Sequence, residues 1–356
     1  MSKLDNLESM MTLDTQNMYQ RIHDFPEQLA DAQKIGGKWD FDPNEFAGVA
    51  NITLAGMDGS AIGGDLVRSI VANELQAPFT ICRNYRLPEY VDDESLVIVS
   101  SYSGNTEETL NALDDAQKRK AMIVCLTTGG KLAEVASAEG YPILKIPGGL
   151  QPRAALGYSF VPLLSLFSKL QFIKSADKAV AETITALKDA RKKLTRETSI
   201  MDNSAKKLAE MFAGRIPLIY SGPELTDTVA VRWRGQFSEN SKSLAFSNQF
   251  PEMNHNELVG WSEVAEQFAD KLAVVLLRDE DDNPRVKFRL DSFRAVAKKL
   301  GVPVSDVLSS GTSRVTRAMS LVQIGDFASY YFAIANGVDP TPVDAIENLK
   351  KELARV

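Results

Sequence analysis

Ser100 to Thr109, SSYSGNTEET, sets hydroxyls and a glycine directly after the apolar run Leu96 to Val99 and just before a helix-like stretch, Glu107 to Lys118. A strand that turns into a helix through such a segment suits the holding of a phosphate. The first turn of a helix has N–H groups without intrahelical acceptors and a partial positive charge, and Ser101, Ser103 and Thr106 add neutral donors. Asn105 with Glu108 three residues on has the pattern of a capping box, and Thr106 is a second capping candidate, both compatible with phosphate binding. A second turn, GMDGSAIGGD at 56–65, follows the run ITLA. There Gly56 and Gly59 allow backbone to approach a ligand closely, and Ser60 supplies another hydroxyl.

Other chemistries find little support. The two histidines, His23 and His255, lie far apart and in no H-x-x-H or H-E-x-x-H pattern, so no metal is expected. No cofactor is expected either, because the chain has neither a P-loop GKS or GKT nor a G-x-G-x-x-G with a suitably spaced acidic residue. Cys82 in FTIC and Cys125 in MIVCL read as small buried hydrophobes on strands. A net charge of -7 with scattered Lys and Arg offers no footprint for nucleic acid. The N-terminus lacks the apolar core of a signal peptide, and nowhere do about 18 apolar residues run together. The expectation is a cytoplasmic protein with no membrane partner.

These turns need a scaffold to bring them together. With 356 residues, 44% of them hydrophobic and 24% charged, the chain can bury a large core, and about two domains are expected. Residues 1–45 read as a helical arm, with Met18, Ile22, Phe25 and Leu29 at helical spacing and Pro26 interrupting. Apolar runs at 52–55, 79–82, 96–99, 122–126 and 143–146 then alternate with helical stretches, giving a first α/β domain over 46–175. A charged helical stretch at 176–200 reads as a linker. Runs at 216–220, 272–277 and 303–308, an apolar helix at 315–335 and a short helix after Pro342 make a second α/β domain over 201–356. The fold class is therefore α/β, with two doubly wound parallel-sheet domains, a helical N-terminal arm and a C-terminal helix. In such sheets ligands collect beyond the carboxyl ends of strands, where both turns lie.

Taken together, GMDGSAIGGD and SYSGNTEET resemble the sugar isomerase domain. The later stretches GQFSENSK, PEMNHNELVGW and DPTPVDAIENLK resemble the bifunctional phosphoglucose/phosphomannose isomerase family, five pieces in order covering nearly the whole chain. The resemblance implies a metal-independent aldose-ketose isomerase for glucose 6-phosphate and fructose 6-phosphate, with mannose 6-phosphate as a further candidate. Such a reaction opens the sugar ring, moves a proton between carbons 1 and 2 through an enediolate, and holds the phosphate still.

By the same resemblance, Glu239 is the base that moves the proton, and His255 opens the ring. Arg153 faces the reacting carbons, and Lys350 assists at the ring oxygen. Gly59, Ser60, Ser101, Ser103 and Thr106 hold the phosphate. A homodimer is implied, with the histidine lent by the neighbouring protomer. Taken without the resemblance, Glu239 reads as a solvated helix carboxylate pairing with Lys242, and His255 as a polar loop residue. Thr341, between Pro340 and Pro342, has the spacing of a helix N-cap. One departure from the family pattern matters, Asp58 where a second glycine is usual, and Ser241 in place of a frequent alanine is a mild one. Aspartate tolerates left-handed backbone, but its charge opposes a bound dianion unless it points away or pairs with Arg153 or Arg83. The alternative function is a non-catalytic sugar-phosphate sensor. An amidotransferase half would need a cysteine near the N-terminus, and residues 1–81 contain none.

Overall fold

The computed structural model describes residues 3–353 and 355. The chain opens with helices α1 (Leu7–Leu13), α2 (Met18–His23) and α3 (Phe25–Lys38). Pro26 sits in the first turn of α3, where its missing N–H costs nothing, so it starts a helix here. The chain divides into two compact units. One comprises residues 24–186 with 311–318, and the other residues 1–23, 187–310 and 319–356.

In the first unit, β1 (Asn51–Ala55), α4 (Asp58–Val71), β2 (Phe79–Cys82), β3 (Ser95–Ser101), α5 (Glu107–Lys118), β4 (Met122–Thr127), α6 (Gly130–Glu139), β5 (Ile143–Lys145) and α7 (Leu156–Lys169) follow one another. The strands form a parallel sheet in the order β2-β1-β3-β4-β5. All seven residues of β3 are buried, and its middle, Leu96 to Val99, reads as an uninterrupted apolar run. Under α5 and α6, Val97, Val99, Cys125, Leu113 and Ala116 form one core cluster. The two cysteines are buried and unpaired with each other, and burial pushes the Cys125 thiol up to about 12, which leaves it unreactive. The chain leaves the β2-to-β1 side and crosses to β3, so the topology switches at the carboxyl ends of β1 and β3.

Helix α8 (Asp177–Arg191) precedes the elements of the second unit: α9 (Ser204–Phe212), β6 (Ile216–Ser221), α10 (Thr226–Ser241), β7 (Phe246–Gln249), the short α11 (Glu257–Gly260) and α12 (Glu263–Glu266), β8 (Leu272–Arg278), α13 (Pro284–Lys299) and β9 (Val304–Leu308). They are followed by α14 (Arg314–Asn336), whose last part belongs to this unit, and α15 (Asp344–Leu353). The parallel order β7-β6-β8-β9 repeats the first four positions of the other sheet. Strand β7 was not expected from the sequence. It is an edge strand of four residues, exposed or half-buried throughout, so it lacks the apolar run that marks the others. An aromatic core closes this unit, with Tyr220 and Trp261 each edge-on to Phe293 at 5.0 Å between centroids. No helix among the described residues is long and apolar enough to cross a membrane.

Candidate functional site

The two turns singled out in the sequence meet in the first unit. The Tyr102 N–H, at the end of β3, donates to Ser60 Oγ at 3.2 Å, tying the hydroxyl-rich turn to the first turn of α4. Ser101 Oγ accepts from Gly104 N at 3.1 Å and lies 2.9 Å from Thr106 Oγ1. Ser60 and Ser101 are buried, Thr106 half-buried and Ser103 exposed, its Oγ accepting from Asn105 N at 3.2 Å. Thr106 is the N-cap residue of α5, yet its side chain turns to Ser101 and makes no cap bond. The expected capping box is not formed, because Asn105 Oδ1 accepts from Lys131 N of α6 at 3.0 Å instead. Two helix starts, each at the end of a buried strand, thus converge at the switch point of this sheet, with hydroxyls between them.

Arg153 belongs to the same assembly. It lies on a single 3-10 turn, Pro152–Ala154, and is 3% exposed. A Cβ on Gly59 would stand 2.6 Å from Pro152 O, so only glycine lets this turn rest on the start of α4. Gln28 of α3 holds the turn from the other side, its Nε2 donating to Ala154 O at 2.8 Å and its Oε1 accepting from Gly157 N at 2.6 Å. Asp58 is the first residue of α4, exposed, with φ of 45°. Arg83 does not serve it. That guanidinium pairs with Asp65 of α4, whose carboxylate also meets Arg68 at 3.5 Å.

The remaining candidates lie in the second unit. Glu239 occupies the last turn of α10, half-buried. Lys242 ends the helix at φ 53° and donates to Glu239 O at 2.5 Å and Pro340 O at 3.2 Å. The turn bearing Glu239 is fastened to α14, with Asn240 Nδ2 donating to Ser329 Oγ at 2.9 Å, Ser241 Oγ to Ser329 O at 2.7 Å, and Asn336 Nδ2 to Ser241 O at 3.0 Å. Farther back along α10, Arg232 and Gln236 both donate to the Asp326 carboxylate, at 2.6 and 2.8 Å, all three side chains being buried. Sequence reading passed over this ladder, although Arg232, Gln236 and Asn240 recur every four residues along one face.

His255 is exposed at the end of the 3-10 turn Glu252–His255, beyond β7. Its neighbour Asn256 caps α11, accepting from Glu257 N at 2.6 Å. Glu257 in turn accepts from Asn248 at 2.6 Å and from the buried Tyr220 phenol. Lys350 is exposed on α15, a helix with no buried residue. Thr341 is buried but does not cap α15, which starts at Asp344. Its N–H donates to Asp339 Oδ1 at 2.9 Å, three residues before the helix.

The second unit also has a switch point, between β6 and β8, and it is acidic. Asp279 and Asp282 follow β8 there, both buried. Asp282 accepts from Asp279 N at 2.9 Å, and Asp279 from Ser309. Asp282 Oδ1 fills the space a side chain at Gly222 would need, and burial raises its pKa. Carboxylates at this place repel a phosphate. Among the described residues, no His, Cys, Asp and Glu side chains gather in threes to hold a metal ion.

Residues 201–353 match the family described as the bacterial phospho-glucose isomerase C-terminal SIS domain. A bifunctional phosphoglucose/phosphomannose isomerase of Caldicellulosiruptor bescii is 42% identical over 339 residues, covering 95% of this chain and 99% of that relative. A protein of the same name from Aquifex aeolicus is 35% identical over 319 residues, covering 89% and 95%. Among solved structures, a Thermus thermophilus protein described as hypothetical shares the fold with a TM-score of 0.76 at 17% identity, over 98% of this chain and 93% of that one.

Proposed function

The chain belongs to the bifunctional phosphoglucose/phosphomannose isomerase family, whose members are aldose-ketose isomerases of sugar phosphates, and we propose that it interconverts glucose 6-phosphate and fructose 6-phosphate, with mannose 6-phosphate as a further substrate. The observation that carries the reading is the convergence of Ser60, Ser101 and Thr106 on two helix starts at one switch point. The phosphate is bound there by main-chain N–H groups and hydroxyls, with Gly59 and Ser103 at its edge.

The proton transfer is assigned to the second unit's residues. His255, lent by a second copy in a homodimer, opens the ring, with Lys350 donating at the ring oxygen. Glu239 removes the proton from carbon 2 of the aldose, and the electron pair moves to form the enediolate. Glu239 then returns the proton to carbon 1 while the hydroxyl proton of O2 passes to O1, giving the ketose. Arg153 stabilises the negative charge that develops on the enediolate oxygens. Each step is a proton transfer between substrate and these side chains or between substrate oxygens, so no oxidant or reductant is consumed.

Replacing Glu239 by Gln keeps size and polarity but removes the base. Turnover of fructose 6-phosphate should fall roughly a thousandfold, while inhibition by inorganic phosphate stays unchanged. A purified, folded E239Q protein turning over at a comparable rate overturns the assignment.

A further inference from the structure

Tyr102 lies between two hydroxyls assigned to phosphate, but its own side chain points elsewhere. The phenol O–H donates to Pro147 O at 3.1 Å and accepts from Leu150 N at 3.1 Å. Both belong to the segment after β5 that leads, within three residues, to the Pro152–Ala154 turn and Arg153. The Tyr102 backbone does separate work, with its N–H on Ser60 Oγ at 3.2 Å and its carbonyl accepting from Thr128 N at 3.1 Å. One residue therefore joins the turns that follow β1, β3, β4 and β5, and its phenol is the connection to the last. Among the bonds to that segment, Tyr102 fixes 147–150, Gln28 fixes Ala154 and Gly157, and Gly59 supports Pro152.

We propose that Tyr102 is a positioning residue for the isomerase reaction, its phenol setting the Arg153 turn against the phosphate cradle. This rests on the reading of Arg153 as the enediolate's cation. A guanidinium that stabilises a developing charge must be held in place before the charge appears, and misplacement by about an ångström is enough to cost up to a hundredfold in rate. The phosphate should feel little of it, because the cradle's links to Tyr102 are main-chain bonds that any side chain retains.

The test is a double-mutant cycle in the full-length protein between Tyr102→Phe and Arg153→Lys. Tyr102→Phe should lower kcat roughly tenfold, with the inhibition constant of inorganic phosphate held within about twofold. In the Arg153→Lys background the same change should cost nothing further. Native kcat in Tyr102→Phe overturns the proposal, as does a full multiplicative loss in the Arg153→Lys background. So does a rise in the phosphate inhibition constant that matches the fall in kcat. Should Tyr102→Phe not fold, Tyr102→Met, which also lacks the donor and acceptor of the phenol, is carried through the same cycle with the same criteria. A native protein that lacks isomerase activity overturns the reading beneath; an active native protein with an additive cycle overturns the positioning role alone.

Discussion

Gly59 leaves no room for a methyl group, since backbone atoms of Pro152 stand 2.6 and 2.9 Å from where it would sit. Backbone cannot step aside as a flexible side chain can. Gly59→Ala should therefore displace the Arg153 turn at a cost of about 1–3 kcal/mol in stability, and inhibition by inorganic phosphate should weaken. Thermal unfolding and a phosphate inhibition curve check both halves, and an alanine variant matching the native protein in each contradicts the packing argument. At this scale the sequence marked the two turns that the fold brings together at Ser60 and Tyr102, because hydroxyls and glycines after apolar runs stand out by their types. It did not show whom each polar group chooses as partner. Asn105 serves α6 and not its own helix, and Arg83 serves Asp65 and not Asp58. Those choices depend on neighbours distant in sequence, or on geometry that spacing does not encode.

Helix α10 is held against α14 by polar contacts along one face, and Asp326 is their hub. Removing its carboxylate leaves the Arg232 guanidinium, itself 5% exposed, without its counter-charge. Asp326→Ala should cost about 3–5 kcal/mol of stability. Asp326→Asn, which still accepts hydrogen bonds, should cost less, and urea unfolding of the two variants ranks them; equal losses would mean that the charge is irrelevant. Elements were legible where burial imposes a pattern: β3 and β8 each contain an uninterrupted apolar run, and α14 covers the stretch 315–335 that the sequence marked. They were not legible where burial is partial. Strand β7 presents Phe246 to solvent at 53% exposure and reads FSNQ, which lacks both the run and the alternation of a strand. Thr341 has the spacing of an N-cap, yet the chain makes an Asx turn there and enters α15 three residues later.

Across the whole molecule, burial raises the pKa of Tyr158 in one unit and of Tyr220, Tyr330 and Tyr331 in the other, above the ordinary 10.0. A raised folded-state pKa means that this stabilisation is complete below pH 10 and is lost as pH climbs toward the folded values. Lys206 works in the opposite sense, its pKa pushed down by burial despite Asp5, but Tyr19, Cys82 and Cys125 are pushed up by burial along with the four. Alkaline unfolding should set in above about pH 10, with the tyrosinate absorbance of these four side chains rising together with the loss of circular dichroism. Absorbance that rises to completion while the dichroism is intact would refute this. The same Lys206 shows what sequence could not reveal at this scale. Its ammonium, 0% exposed, bonds Asp5 Oδ1 at 3.1 Å, and Arg196 lies 4.2 Å above the Tyr19 ring, so residues 1–23 join the later unit across nearly two hundred positions of chain. No periodicity records a partner so remote.

The acidic turn after β8 changes what two like sheets mean for this protein. Where one sheet sets hydroxyls and two helix starts at its switch point, the other places Asp279 and Asp282 at the corresponding turn. Repetition of an architecture has not repeated its task. Under the function proposed above, the first sheet holds the phosphoester, and the half with the acidic turn serves the proton transfers.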